Sequence, residues 1–114
     1  MAEFTYYHNP KCSKSRAGMV ALEEKEVVLT VKEYINEGLS KGEIYALKSK
    51  LDKPVTDFVR KGDAKNLGID ISALSEDQLV DEIVANPILL ERPILSSVSK
   101  ASIGRPTEDL FDVL

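Results

Sequence analysis

The sequence is poor in the residues that build disulfides, metal clusters and stacked aromatic surfaces. Of 114 residues, one is Cys, one is His and none is Trp. A single Cys excludes an internal disulfide, and with a single His it excludes a Cys and His zinc cluster within the chain. A metal site would need several carboxylates to complete it, and none is expected. A disordered chain is excluded too, because low hydrophobicity and long blocks of one-sign charge are both missing. Basic residues are outnumbered, 15 Lys and Arg against 19 Asp and Glu, for a formal charge of -4. Such a chain lacks the basic face that sequence-independent nucleic-acid binding requires. No apolar run approaches bilayer-spanning length, and the start MAEFTYYHNP has neither the basic flank nor the apolar stretch of a signal peptide. The expectation is a soluble cytoplasmic protein with no nucleic-acid and no membrane partner.

What is present suits one domain over residues 1–114, since hydrophobic residues are 43% and charged residues 30%, enough for one core. EFTYY, from Glu3 to Tyr7, predicts a strand, which His8-Asn9-Pro10 breaks. From Ser13 to Lys25 the spacing is helical, with Ala17, Val20, Ala21 and Glu24 on one side and Met19 and Leu22 beside them. Val27 to Val31 predicts a second strand, which completes a βαβ unit with parallel strands. The middle is helical. Ser40 and Glu43 have capping-box spacing ahead of Ile44, Leu47 and Leu51, and Ser75 and Gln78 repeat it ahead of Leu79, Ile83 and Val84. Between them Pro54 opens a short helix with Val55, Phe58 and Val59, and Arg60-Lys61-Gly62-Asp63 reads as a loop. After Asn86-Pro87, Ile94 to Val98 and Ala101 to Ile103 predict a hairpin turning at Ser99-Lys100. Pro106 opens a last helix, with Thr107, Glu108 and Asp109 in its first turn and Leu110, Phe111, Val113 and Leu114 available for burial. There is no repeat, low-complexity segment or linker. The order β-α-β, helices, β-β-α describes a thioredoxin-like (glutaredoxin-like) α/β fold: a mixed sheet flanked by helices, with a helical insertion between its two halves.

Cys12 falls in the turn between the first strand and the first helix, the region where ligands gather in open α/β sheets. A thiol at a helix N-terminus faces unpaired N–H groups and the positive end of the dipole, and both favour thiolate. Lys11, Lys14 and Arg16 add positive charge, His8 adds more when protonated, and Ser13 and Ser15 offer hydroxyls to the sulfur. A free-thiol pKa near 8.5 falls by about one to several units in such a setting. The same amides bind an oxyanion. An unpaired Cys is commonly a buried packing residue, but Asn9, Lys11, Ser13, Lys14 and Ser15 are poor core material, which favours a reactive thiol.

The run His8-Asn9-Pro10-Lys11-Cys12-Ser13-Lys14-Ser15-Arg16 resembles the HNPxCxxSR active-site signature of the ArsC-type arsenate reductases that use glutathione and glutaredoxin. Arg60 in DFVRKGD, Arg92 in NPILLERPI and Arg105 in IGRPTEDL match, in order and context, the three oxyanion-binding arginines of that family. The resemblance covers essentially the whole chain. It implies arsenate as substrate and Cys12 as the nucleophile that forms a thiol-arsenate adduct. His8 and Ser15 would tune the thiolate, Arg60, Arg92 and Arg105 would hold the oxyanion, and Asn9 would shape the binding loop. It further implies glutathione as co-substrate, glutaredoxin as partner, no bound cofactor, a monomer, and a cis Arg92-Pro93 bond. Physical chemistry agrees, since a guanidinium's planar fork binds two oxygens of a phosphate-like anion.

Each arginine also has a plainer reading. Arg60 alone reads as a helix-end cation and Arg105 as a solvated turn residue. Glu91 and Asp63 stand near the arginines in sequence, where a carboxylate competes with an anion. Better-known reductases of this type carry a further C-terminal stretch beyond the position of Leu114. Two other functions stay open. A glutathione-dependent thiol-disulfide oxidoreductase needs Cys12 but has little use for three converging arginines. An Spx-type regulator docking on RNA polymerase usually senses redox state through CxxC, and here Ser15 stands where the second Cys would be.

Overall fold

Two tyrosines in succession, Tyr6 and Tyr7, show how the chain builds a core on each side of one sheet. In the computed structural model, which describes residues 3–114, they end strand β1 (Phe4–Tyr7). Strands β2 (Leu29–Lys32), β3 (Ile94–Ser96) and β4 (Ala101–Ile103) complete a four-stranded sheet in the order β2-β1-β3-β4. β1 and β2 run parallel, as the βαβ reading requires, and β3 pairs antiparallel with both β1 and β4. Successive strand residues point to opposite faces, and the register sets Tyr6 opposite Leu95 and Tyr7 opposite Ile94.

The Tyr6 and Leu95 face packs against Leu22 of helix α1 (Ser13–Glu24) and against Leu110 and Val113 near the C-terminus. The Tyr7 and Ile94 face is covered by the insertion, which contributes Tyr34, Ile44, Leu47, Phe58, Leu79, Ile83 and Leu90. The insertion comprises α2 (Tyr34–Glu37), α3 (Lys41–Leu51), α4 (Lys61–Asn66) and α5 (Glu76–Ala85), with 3-10 turns between them. This is the expected thioredoxin-like mixed sheet with helices on both faces. Both capping boxes form. Ser40 and Glu43 exchange bonds of 3.1 Å, and Ser75 and Gln78 exchange bonds of 2.9 and 3.2 Å. Among the described residues, no helix is long and apolar enough to cross a membrane.

Four local expectations are corrected. The buried face of α1 is Ser15, Gly18 and Leu22, whereas Ala17, Val20 and Glu24 are exposed. Small size, not apolar character, selects that face: a Cβ on Gly18 would collide with the Tyr6 hydroxyl and lie 2.9 Å from Leu110 Cδ1. Second, Arg60-Lys61-Gly62-Asp63 is not a loop. Arg60 is the N-cap of α4, and Asp63 in its first turn complements the helix dipole while Ala64 anchors the helix in the core. Third, the last helix is a 3-10 helix, Thr107–Val113, whose three-residue turn stacks Leu110 directly on Val113. Leu114 is half-exposed and Phe111 lies under Lys25 Nζ, 4.9 Å from the ring centroid.

The fourth correction is that β2 begins at Leu29 and leaves Val28 exposed. The residues before it finish α1 instead. Val27 N–H donates to the Leu22 carbonyl at 3.1 Å and Glu26 N–H to that of Glu23 at 2.9 Å, a Schellman closure. Glu26 thereby takes a φ of 58°, in the left-handed region that favours glycine. Replacing Glu26 by Gly is expected to stabilise the fold by about 0.5–1 kcal/mol, the left-handed penalty less glycine's entropy cost. A urea midpoint that rises with unchanged slope is the expected result; a fall would mean that the Glu26 side chain contributes more than its backbone costs.

Candidate active site

The loop leaving β1 is built to hold a thiol at a helix start. His8 N–H continues the sheet ladder by donating to the Lys32 carbonyl at 2.9 Å. Asn9 then closes the turn, its carbonyl accepting from Cys12 N–H at 2.9 Å and its Oδ1 from Lys11 N–H at 3.0 Å. Asn9 thus ties the loop together through its carbonyl and its side chain. Cys12 is the N-cap of α1, with extended backbone at φ -95° and ψ 122°, and its free thiol is partly exposed. Burial pushes the thiol pKa up. The N–H groups of Ser15 and Lys14 and the Arg92 guanidinium more than offset this and bring it below the ordinary value.

Ser15 acts through its backbone rather than through its hydroxyl. The Oγ lies 2.7 Å from His8 Nδ1 and accepts from Asn9 N–H at 3.0 Å, so the side chain braces the loop while the amide faces the sulfur. Ser15, His8 and Asn9 are all buried, and the Tyr6 hydroxyl locks them from below by donating to the Ser15 carbonyl at 2.6 Å. Burial lowers the His8 pKa, with Arg16 lowering it further against an opposing pull from Glu33. His8 is therefore neutral at neutral pH and does not supply the extra positive charge considered from the sequence. Arg16 turns away to the loop backbone, Nη1 donating to the Pro10 carbonyl at 2.8 Å.

The three arginines, from three distant segments, do converge. Arg105 Nη2 lies 3.8 Å from Cys12 Sγ, and its Nε donates to the Arg92 carbonyl at 2.8 Å. Arg92 is buried, its Nη1 donating to the Ile88 carbonyl at 3.1 Å. Its Nε has no hydrogen-bond partner among the described residues, a state that costs about 1–3 kcal/mol in a buried donor. Arg60 donates from Nε to Asp63 Oδ2 at 2.7 Å and from Nη1 to Glu91 Oε1 at 2.9 Å. The same Glu91 oxygen is 3.2 Å from Arg105 Nε and accepts from Arg92 N–H at 3.1 Å. Arg60 stands at the N-terminal end of α4, so it is not a cation complementing a helix C-terminus. Arg105 is likewise no free turn residue. Of the three arginines around Glu91, Arg92 and Arg105 precede cis prolines; the resemblance implies the first, and nothing in the sequence marks the second.

Residues 7–112 match the sequence model of the ArsC family. The chain belongs to that family. It is 38% identical over 117 residues to an arsenate reductase of Neisseria meningitidis serogroup A, covering 100% of both chains. Among solved structures, one from Yersinia pestis matches with a TM-score of 0.91 and 33% identity, over 97% of this chain and 100% of that one. An arsenate reductase from Vibrio cholerae matches with a TM-score of 0.88 and 34% identity, over 99% and 98%.

Two residues of this ArsC-family site escaped sequence reasoning. Tyr6 buttresses the loop from two positions before His8, on the face opposite Tyr7. Tyr34 is fully buried, its hydroxyl donating to the Leu90 carbonyl at 3.3 Å. Burial pushes its pKa up to about 12 even though the Arg92 and Arg60 charges pull it down. The signal available was alternation in β1 for the first; for the second, an aromatic between Glu33 and Ile35 at the start of a four-residue helix gives none.

Proposed function

We propose that this protein is a cytoplasmic arsenate reductase that draws its electrons from glutathione and glutaredoxin. The observation that carries the reading is the contact of Arg105 with the Cys12 sulfur at 3.8 Å, beside a buried Arg92 whose Nε lacks a partner among the described residues. Cys12 thiolate attacks arsenic; an S–As bond forms and an As–O bond breaks, the oxygen leaving as water. Arg60, Arg92 and Arg105 stabilise the charge on the remaining oxygens. A glutathione thiolate then bonds to the Cys12 sulfur as the S–As bond breaks, and its electron pair reduces arsenic from the pentavalent to the trivalent state. Glutaredoxin takes glutathione from the mixed disulfide by thiol exchange and restores Cys12. His8 and Ser15 hold the loop, and the protein itself carries no bound cofactor.

The test is NADPH consumption through glutathione reductase, glutathione and glutaredoxin, with and without arsenate. Turnover that requires arsenate is the expected result. The second reading, a glutathione-dependent thiol-disulfide oxidoreductase, draws support from Glu91, whose carboxylate already pairs with Arg60 and Arg105. Turnover of a small glutathione mixed disulfide with no response to arsenate would establish that reading instead.

A further inference from the structure

We propose that Glu91 sets the anion specificity of this site: its carboxylate stands where a tetrahedral oxyanion would bridge Arg60 and Arg105, and a ligand enters by displacing it. The inference rests on the oxyanion reading of the arginine cluster and adds a residue to it. A single oxygen, Oε1, receives Arg60 Nη1 at 2.9 Å, Arg92 N–H at 3.1 Å and Arg105 Nε at 3.2 Å. Arg105 in turn reaches the thiol, so the carboxylate and Cys12 share one guanidinium. All three ion-pair partners are partly buried, with side-chain exposures between 23 and 34%, which screens the pairs less than at an open surface.

Charge balance explains the selection. With Cys12 as thiolate, the charges of the three guanidiniums are matched one for one by Glu91, Asp63 and the sulfur. A monoanion gains little by exchanging places with Glu91, because it replaces one negative charge by another. A multiply charged tetrahedral oxyanion adds charge and supplies oxygens to both guanidiniums at once. The exchange needs only a side-chain rotation. Glu91 N–H is fixed to the Phe58 carbonyl at 2.9 Å, and its side chain borders two open clefts. One, of about 560 Å³, is shared with Arg60 and Asp63; the other, of about 410 Å³, with Arg105, Asp109 and Asp112.

The test compares wild type, Glu91→Gln and Glu91→Asn, with thermal unfolding confirming that each is folded. Protection of Cys12 from iodoacetamide by arsenate, and separately by nitrate, is titrated against each protein's own anion-free rate at fixed pH and ionic strength. Both substitutions are expected to tighten arsenate binding about tenfold or more and to tighten nitrate binding as well, narrowing the preference for the polyvalent anion. The arsenate KM should fall by the same factor while kcat moves little. Unchanged or weaker arsenate binding in both variants, with wild-type turnover intact, overturns the role of Glu91 alone. Arsenate that protects none of the three proteins overturns it together with the oxyanion reading.

Discussion

Cys12→Ser is expected to reduce arsenate-dependent NADPH oxidation to background, a loss on the order of 10⁴-fold or more, while leaving the protein as stable as before. The chemical half follows from nucleophilicity: a serine hydroxyl is a far weaker nucleophile at neutral pH, and His8 Nδ1 is engaged by Ser15. The structural half follows from position. Cys12 is the N-cap of α1 and makes no side-chain cap bond, whereas Ser is among the favoured N-caps. The melting temperature should therefore hold or rise. Retained activity in the serine variant would sink the covalent mechanism, and a collapsed melting temperature would sink the structural account of the loop.

Arg92→Ala is expected to lower arsenate turnover by about 10²–10³-fold and to raise the Cys12 pKa at the same time. One guanidinium serves both ends: it lowers the thiol pKa by its hydrogen bonding and charge, and on the proposed reading the same charge holds the oxyanion beside that thiol. The sign is fixed by the chemistry. Removing a cation disfavours thiolate, so the alkylation rate of Cys12 should reach its midpoint at higher pH in the variant. The substitution also leaves the Ile88 carbonyl without its Nη1 donor and opens a cavity beside Tyr34, so some stability is lost. The pKa separates the two consequences, because loosened packing alone gives no reason for a cationic contribution to vanish. Arg92→Lys sharpens the test: a retained charge should recover much of the pKa, but a lone ammonium should not recover turnover, since it lacks the fork. An alkylation midpoint that stays in place when Arg92 becomes Ala refutes the shared role.

Much of the architecture is readable because the signals are local. Ser40-x-x-Glu43 and Ser75-x-x-Gln78 carry their own hydrogen-bonding partners, and both form as read. Two of the three strand pairings, β1 with β2 and β3 with β4, are legible from β-branched runs and a hairpin turn, whereas the antiparallel pairing of β1 with β3 joins distant segments and carries no local signal. Failures came where a distant neighbour decides. The face of α1 is chosen by the Tyr6 hydroxyl pressing on Gly18, which no helical-periodicity argument contains. The start of β2 is delayed by the closure of the preceding helix, and α4 forms in a Lys-Gly-Asp stretch because Ala64 fits the core and Asp63 suits a first turn. In the site, the residue types and their gathering were legible, but the division of labour was not. Whether Ser15 offers its hydroxyl or its amide to the sulfur depends on where His8 sits, and the pairing of Glu91 with two arginines depends on three loops meeting.

The contact between Cys12 and Arg105 joins positions 93 apart in the chain, and β1 finds its inner partner only at residues 94–96. The cationic surroundings of the thiol are thus a product of nearly complete folding. A chain emerging from synthesis carries Cys12 early, before Arg92 and Arg105 exist to surround it. Closure of the sheet adds the arginine contribution to that of the α1 amides. The arginine share of the thiol's activation therefore depends on β3 docking onto β1, whereas the amide share depends on α1 alone.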